Sequence, residues 1–284
     1  MTETLPPPRT IDNGACTGEV YDQGAQVTRW APVGTEPVLY VSTDLRLAAG
    51  QAIRAGVPVC WPWFGPGRAP GMVPTHGFVR TTTWNLVEVT EDDDETTVAH
   101  RLTSDEATSP HWPHRYTAEL RARFGRTLEV SLTTTNTGDE PFDYEEALHA
   151  YLVVGDIHRA RIDGLGGKSF VDKVTGTERV QQGELTFADE TDSVFRTSDP
   201  VTLHDPALGR RLLVRTEGAA NIVVWNPWAA KAKEVPDIGD DDWERFVCIE
   251  GANAFEHAVV LEPGRSHTTS YRVEVQPLLS LIHI

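Results

Sequence analysis

The 284-residue chain carries 42 acidic against 25 basic side chains, a formal net charge of −17. That balance excludes the phosphate-neutralising surface of a nucleic-acid binder. Its 39% hydrophobic content suffices for a large core, and the length fits one all-β domain of about 250 residues or two smaller ones. No run approaches the roughly 18 uninterrupted apolar residues of a membrane span, and the opening MTETLPPPRT has no apolar signal core. A soluble, cytoplasmic protein with no membrane partner is expected. Cys16, Cys60 and Cys248 form no CxxC pair and leave an odd count, which suits a reducing compartment.

In chain order, residues 1–10 read as a tail. The run GVPVCWPWFGPG (residues 56–67) then gathers Trp, Pro and Gly, and PTHGFVR (residues 74–80) sets an imidazole beside a glycine, with an arginine four residues further on. Residues 84–90 and 96–102 read as strands around the acidic EDDDE, a solvated hairpin tip. HWPH (residues 111–114) has two histidines at a metal-compatible spacing. It lies on a Pro-broken loop without a third ligand, so no metal is expected. From Tyr116, Ala118, Leu120, Ala122 and Phe124 alternate with polar residues. After Gly125-Arg126 the alternation resumes with Leu128, Val130 and Leu132, which is a period-2 hairpin with one apolar face. TGDEP (residues 137–141) supplies the next turn.

Further strands are expected at residues 142–154, 221–225, 246–250 and 270–275. GLGGKS (residues 164–169) mimics a phosphate loop, but Ile162 stands where that motif needs its first glycine, and the context is all-β. A turn is the reading. The apolar C-terminal LLSLIHI reads as a tail beyond the fold. No helix-period segment, tandem repeat or long linker interrupts the pattern. The expected fold is a single large antiparallel β-sandwich spanning residues 1–284, with 1–10 and 277–284 as tails.

Two stretches carry candidate chemistry. In EEALHAYLVV (residues 145–154), Leu148, Ala150, Leu152 and Val154 share one parity, which puts His149 on the opposite face with Ala147 and Tyr151. In FVCIEGAN (residues 246–253), Phe246, Cys248 and Glu250 share a face, so a carboxylate ends an otherwise apolar row. Partial desolvation there raises a carboxyl pKa toward that of a useful base. From the residues alone, a lone strand histidine such as His149 is more often structural than catalytic, and Glu250 is equally a strand-end charge.

Five segments in order resemble one family: GVPVCWPWFGP, PTHGFVR, ALHAYLVVGDI, VVWNPWAAKAKEVPDIGDDDWERFVCIEGAN and LEPGRSHTTSYRV. They are similar to those of the glucose-6-phosphate 1-epimerases, the hexose-6-phosphate mutarotases of the aldose 1-epimerase superfamily. The resemblance runs from about residue 12 to about 276, and CWPWFG departs from it in being more aromatic. It implies a β-supersandwich that interconverts the α and β anomers of an aldohexose 6-phosphate through the open-chain aldehyde, with no cofactor and no metal. By motif, His149 resembles the acid that protonates the ring oxygen, and Glu250 the base that takes the anomeric proton. His76 resembles a supporting residue on the ring-oxygen side, and Asp192 a carboxylate that holds sugar hydroxyls. Arg54 and Arg80 resemble the phosphate pair, with Lys231 a further cation for the same anion.

At a net charge of −17, the long-range field repels a dianionic sugar phosphate, so affinity must come from a local cationic pocket. Screening over a Debye length of about 8 Å makes that feasible, and arginine forks suit phosphate better than lysine. Two rivals remain: a mutarotase for unphosphorylated aldoses, which needs no arginine pair, and a non-catalytic carbohydrate-binding sandwich. In the latter Trp61, Trp63, Trp225 and Trp228 would stack on sugar. Nothing marks an oligomer interface, and a monomer is expected.

Overall fold

The computed structural model describes residues 4–105, 110 and 112–278. Two large antiparallel sheets face each other across the core. The nine-stranded sheet runs, edge to edge, Leu185–Thr186, Arg161–Asp163, Val201–Asp205, Arg210–Glu217, Ser266–Pro277, Thr127–Asn136, Tyr116–Phe124, Glu95–Thr103 and Asn85–Asp92. Its central strands alternate buried and part-exposed residues, as the period-2 reading of residues 116–132 requires. The eight-stranded sheet orders Thr177–Val180, Ser169–Asp172, Thr191–Phe195, Asn221–Asn226, Phe246–Asn253, Glu146–Leu148 and Val59–Cys60, with Tyr151–Val153 also pairing to Phe246–Asn253. Leu120, Val130, Leu132, Leu212, Val214 and Tyr271 from the first sheet join Leu148, Ile222, Val224, Val247 and Ile249 from the second in one buried cluster. This is the sandwich core.

The second sheet is exposed at its Thr177–Val180 edge and buried at its centre, where Phe246–Asn253 is buried at every position. On the outer face Cys60, Ala147, Val194, Val223 and Ala252 form a separate small-residue cluster with Phe64 and Ala254. Small side chains there leave a depression rather than a ridge.

Some boundaries differ from the sequence reading. Residues 142–154 form three short strands instead of one: Phe142–Tyr144, Glu146–Leu148 and Tyr151–Val153. The breaks fall where Glu145 N–H turns to Pro62 O (3.0 Å) and His149 N–H to Pro58 O (2.9 Å). The expected N-terminal tail holds a strand, Arg9–Asp12, paired with Cys16–Val20, and Leu5 is buried. The last strand runs to Pro277, and residues 279–284 of LLSLIHI lie outside the described residues, as does His111 of HWPH. His114 of that motif packs on Trp112 and Phe142. GLGGKS is a turn leading into Ser169–Asp172. The one α-helix among the described residues, Trp228–Ala232, is far too short to cross a membrane. All three cysteines are free and buried.

Gly77 fixes how the PTHGFVR loop lies against the GVPVCWPWFGPG loop. Its φ is +74°, and a Cβ would sit 1.8 Å from Trp61 O. Gly167 has a similar φ of +79° with nothing within 4 Å. Gly77→Ala should therefore lose at least about 2 kcal/mol of stability, whereas Gly167→Ala, which meets only the backbone penalty, should lose about 1 kcal/mol. Denaturant melts of the two variants check the difference, and equal losses would refute the close approach.

Candidate active site

Antiparallel pairing sets residues side by side, and facing partners share a face. Two adjacent rows of the eight-stranded sheet build the site. In one, Asp192 pairs with Trp225, Trp225 with Cys248, and Cys248 with Tyr151. Lys173 extends this row just past its strand, donating its N–H to Asp192 O at 2.8 Å. In the next row Val171 pairs with Val194, Val194 with Val223, and Val223 with Glu250. The register is the same on both sides of the His149 break, Leu148 opposite Gly251 and Tyr151 opposite Cys248, so His149 falls across from Glu250. Its Nε2 lies 3.3 Å from Glu250 Oε1.

A cavity of about 130 Å³ opens over these rows, lined by Arg54, His76, His149, Lys173, Asp192 and Glu250, with walls of Phe64, Tyr151, Val223 and Trp225. His149 and Glu250 are 7% and 1% exposed, so neither charge is well hydrated. Burial, and then the Asp192 carboxylate, raise the Glu250 carboxyl well above its ordinary 4.5, against the opposing pull of Lys173. Burial, and then Arg54 and Arg80, lower the His149 imidazole well below its ordinary 6.5. Both shifts favour an uncharged pair holding one proton between them. The same shifts make an imidazolium there a stronger acid and a carboxylate a stronger base.

His76 is held from three sides. Its N–H donates to Gly65 O (2.7 Å), its carbonyl accepts from Trp61 N–H (3.2 Å), and its Nδ1 accepts from Gly65 N–H (3.2 Å). These bonds hold a left-handed φ of +66° and leave the ring proton on Nε2. Burial, then Arg80 and His149, keep this imidazole well below its ordinary range, so it is a neutral donor. Its ring centroid is 5.6 Å from that of His149. The buried Glu145 carboxylate braces the loops around it, accepting from Phe64 N–H (3.2 Å) and Phe255 N–H (2.7 Å).

Arg54 donates from Nη1 to the Tyr151 hydroxyl (2.7 Å) and from Nε and Nη2 to Asp237 Oδ1 (3.2 and 3.0 Å). The Tyr151 ring lies flat against His149, with centroids 4.8 Å apart and an interplanar angle of 11°. Asp237 belongs to a loop that Asp242 pins, by accepting from Gly239 N–H, Thr43 N–H and the Thr43 and Tyr40 hydroxyls. Arg80 donates from Nη2 to Thr75 O (2.7 Å), and its Nε is buried with no hydrogen-bond partner. It does not line the cavity, but its charge depresses both His76 and His149.

The structure thus brings together Arg54, His76, His149, Asp192 and Glu250, with Arg80 behind them. It separates Lys231, whose short helix carries the ammonium to the surface, where it pairs with Glu234 at 2.7 Å. The lysine at the cavity is Lys173, which the sequence reading missed. Its Nζ is 2.9 Å from Asp192 Oδ2 and 5.3 Å from the Phe64 ring centroid. Its parity with Val171 was the available signal. Asp237 and Phe64 were missed as well, since loop residues carry no periodicity. Trp61 and Trp63 are buried and cannot stack on sugar, and Trp228 packs on Trp243; Trp225 alone of that quartet lines the cavity.

Comparison with known proteins places the chain in a family. The family pattern described as Aldose 1-epimerase matches residues 9–274. The chain is 39% identical over 248 residues to a protein of Escherichia coli K12 named "Putative glucose-6-phosphate 1-epimerase", covering 86% of this chain and 82% of that one. A protein of Cenchrus ciliaris with the same name is 33% identical over 266 residues, covering 88% and 78%. The crystal structure of "a putative mutarotase (YeaD)" from Salmonella typhimurium superposes with a TM-score of 0.89 at 35% identity, covering 95% and 90%. The Slr1438 protein from Synechocystis sp. PCC 6803, at 18% identity and a TM-score of 0.82 over 98% and 99%, shares the fold.

The buried carboxyl has a stability consequence. The folded-state pKa of Glu250 lies above its unfolded value near 4.5, so the folded chain holds this proton longer than the unfolded one. The cost of Glu250 is absent below that value and grows as pH rises toward the folded pKa. Glu250→Gln should accordingly raise Tm relative to wild type by more at about pH 8 than at about pH 5. Thermal melts at both pH values check this; a gain confined to the acid side would reverse the assignment.

Proposed function

This chain belongs to the aldose 1-epimerase family, and we propose that it interconverts the α and β anomers of an aldohexose 6-phosphate, glucose 6-phosphate foremost. The reaction class is isomerisation at the anomeric carbon. The substrate reading is carried by one observation: the Arg54 guanidinium shares a cavity with the His149–Glu250 pair and is joined to His149 through Tyr151.

Ring opening requires a proton to leave the anomeric hydroxyl while another reaches the ring oxygen. Glu250 carboxylate takes the first and His149 imidazolium gives the second, and the C1–ring-oxygen bond breaks to the aldehyde. Rotation about C1–C2 presents the other carbonyl face, and ring closure runs the transfers in reverse. Each half-reaction moves the pair between its charged and neutral arrangements with one proton throughout, so no external proton is needed. His76 Nε2–H is a neutral donor for the ring-oxygen side, and the Lys173–Asp192 pair offers a donor and an acceptor to sugar hydroxyls.

The phosphate has a second effect. The positive charges of Arg54 and Arg80 hold His149 neutral, after burial the largest influences on it. A dianion resting on Arg54 cancels part of that field and restores the imidazolium that ring opening uses. Phosphorylated sugars then gain in kcat as well as KM, which offsets the repulsion from a chain of net charge −17.

His149→Ala and Glu250→Gln should each lower kcat/KM for anomerisation of freshly dissolved α-glucose 6-phosphate by at least about 10²-fold while melting cooperatively. Near-wild-type rates in either variant would reject the assigned roles. Arg54→Ala should raise KM for glucose 6-phosphate far more than for glucose; equal effects on both sugars would favour an unphosphorylated substrate. Inorganic phosphate added to wild type should accelerate glucose mutarotation, and it should fail to do so in Arg54→Ala.

A further inference from the structure

Cys248 stands in the site without a role in the proton transfers. It shares a face with Glu250 two residues on, pairs across the sheet with Tyr151, and is fully buried. A ring nitrogen of His149, Sγ of Cys248 and a carboxylate oxygen of Glu250 all lie within 4.8 Å of one another. Two further atoms of this trio, His149 Nδ1 and Glu250 Oε2, are buried with no hydrogen-bond partner. One thiol, one imidazole and one carboxyl, converging at three buried positions, form the donor set of a thiophilic divalent cation.

We propose that His149, Cys248 and Glu250 form an inhibitory binding site for a thiophilic divalent cation, of which Zn²⁺ is the type. Zn²⁺ takes Cys, His and carboxylate ligands at about 2.0–2.3 Å in tetrahedral geometry, so donors already within 4.8 Å reach it by side-chain adjustment alone. His149 and Glu250 line the cavity, so an ion held by them stands where a sugar would otherwise sit. Binding replaces the Cys248 thiol proton and the proton shared by His149 and Glu250, both released to solvent. One thiolate, one carboxylate and a neutral imidazole balance the 2+ charge, so the Arg54–Asp237 and Lys173–Asp192 pairs are left intact. The ion thereby occupies the acid and the base together.

A second trio, Asp163, Glu184 and His204, has comparable spacing but is solvent-exposed at both carboxylates, offers no sulfur, and has Glu184 already paired with Arg161 at 3.1 Å. The difference in donor atoms separates the two sites experimentally.

The inhibition, though not the binding, rests on the catalytic reading of His149 and Glu250, so the test reads binding independently. Titrating the protein with Co²⁺ should produce a sulfur-to-cobalt charge-transfer band in the near ultraviolet that Zn²⁺ abolishes by displacement. Cys248→Ser and Cys248→Ala should lose the band, and Cys60→Ser should keep it. Zn²⁺ should inhibit glucose 6-phosphate anomerisation competitively and reversibly by chelator. Measured against each variant's own metal-free rate, the Cys248 variants should need at least about tenfold more Zn²⁺ for the same fractional inhibition. No band in wild type, or an equal band in both Cys248 variants, would overturn the site. A Cys248-dependent band without loss of anomerisation would uphold the site, overturn its inhibitory role and count against the catalytic pair.

Discussion

A histidine and a glutamate facing each other across two strands, nearly buried and each shifted toward its uncharged form, set the terms for the rest of the molecule. Such a pair is costly to bury and is tolerated where the surrounding structure over-determines it. Here the constraint is the register of Phe246–Asn253 against Glu146–Leu148 and Tyr151–Val153, which survives the break at His149 and holds Nε2 3.3 Å from Oε1. The small floor of Ala147, Ala252, Val194 and Val223 leaves a cavity open over a pair that lies at sheet level.

Around the pair, charges are matched locally. Arg54 has Asp237 and Lys173 has Asp192, each at about 3 Å, so an acidic protein keeps cations at the cavity without an isolated buried charge. The asymmetry lies in placement. Arg54 and Arg80 act on His149, whereas Asp192 acts on Glu250. The arginines lower the His149 imidazole, Asp192 raises the Glu250 carboxyl, and Tyr151 joins Arg54 to the imidazole through its hydroxyl and its ring. Electrostatics and packing therefore converge on the same two atoms.

Much of this was legible in the sequence because β-structure writes its faces in alternation. The hairpin around Gly125-Arg126, the parity of Phe246, Cys248 and Glu250, and the placement of His149 with Ala147 and Tyr151 all follow from a period of two. What parity cannot give is which strands are neighbours. That His149 faces Glu250, and that Lys173 ends the row of Asp192 and Trp225, depends on pairings between segments up to about a hundred residues apart. Lys231 misled for the complementary reason: it lies among motif residues, yet a single helical turn directs it outward to Glu234. The break of residues 142–154 into three strands was equally hidden, because Glu145 and His149 spend their backbone N–H groups on Pro62 and Pro58.

The shared proton is the central claim, and site-resolved NMR titration tests it most directly. With the Glu250 carboxyl carbon and the His149 ring nitrogens labelled, the two residues should titrate together as a coupled pair. The carboxyl should stay protonated well above its ordinary 4.5 and the imidazole neutral well below its ordinary 6.5. Independent transitions at those ordinary values, with an ionised Glu250 beside a charged His149 in the slightly acidic range between them, would contradict the account.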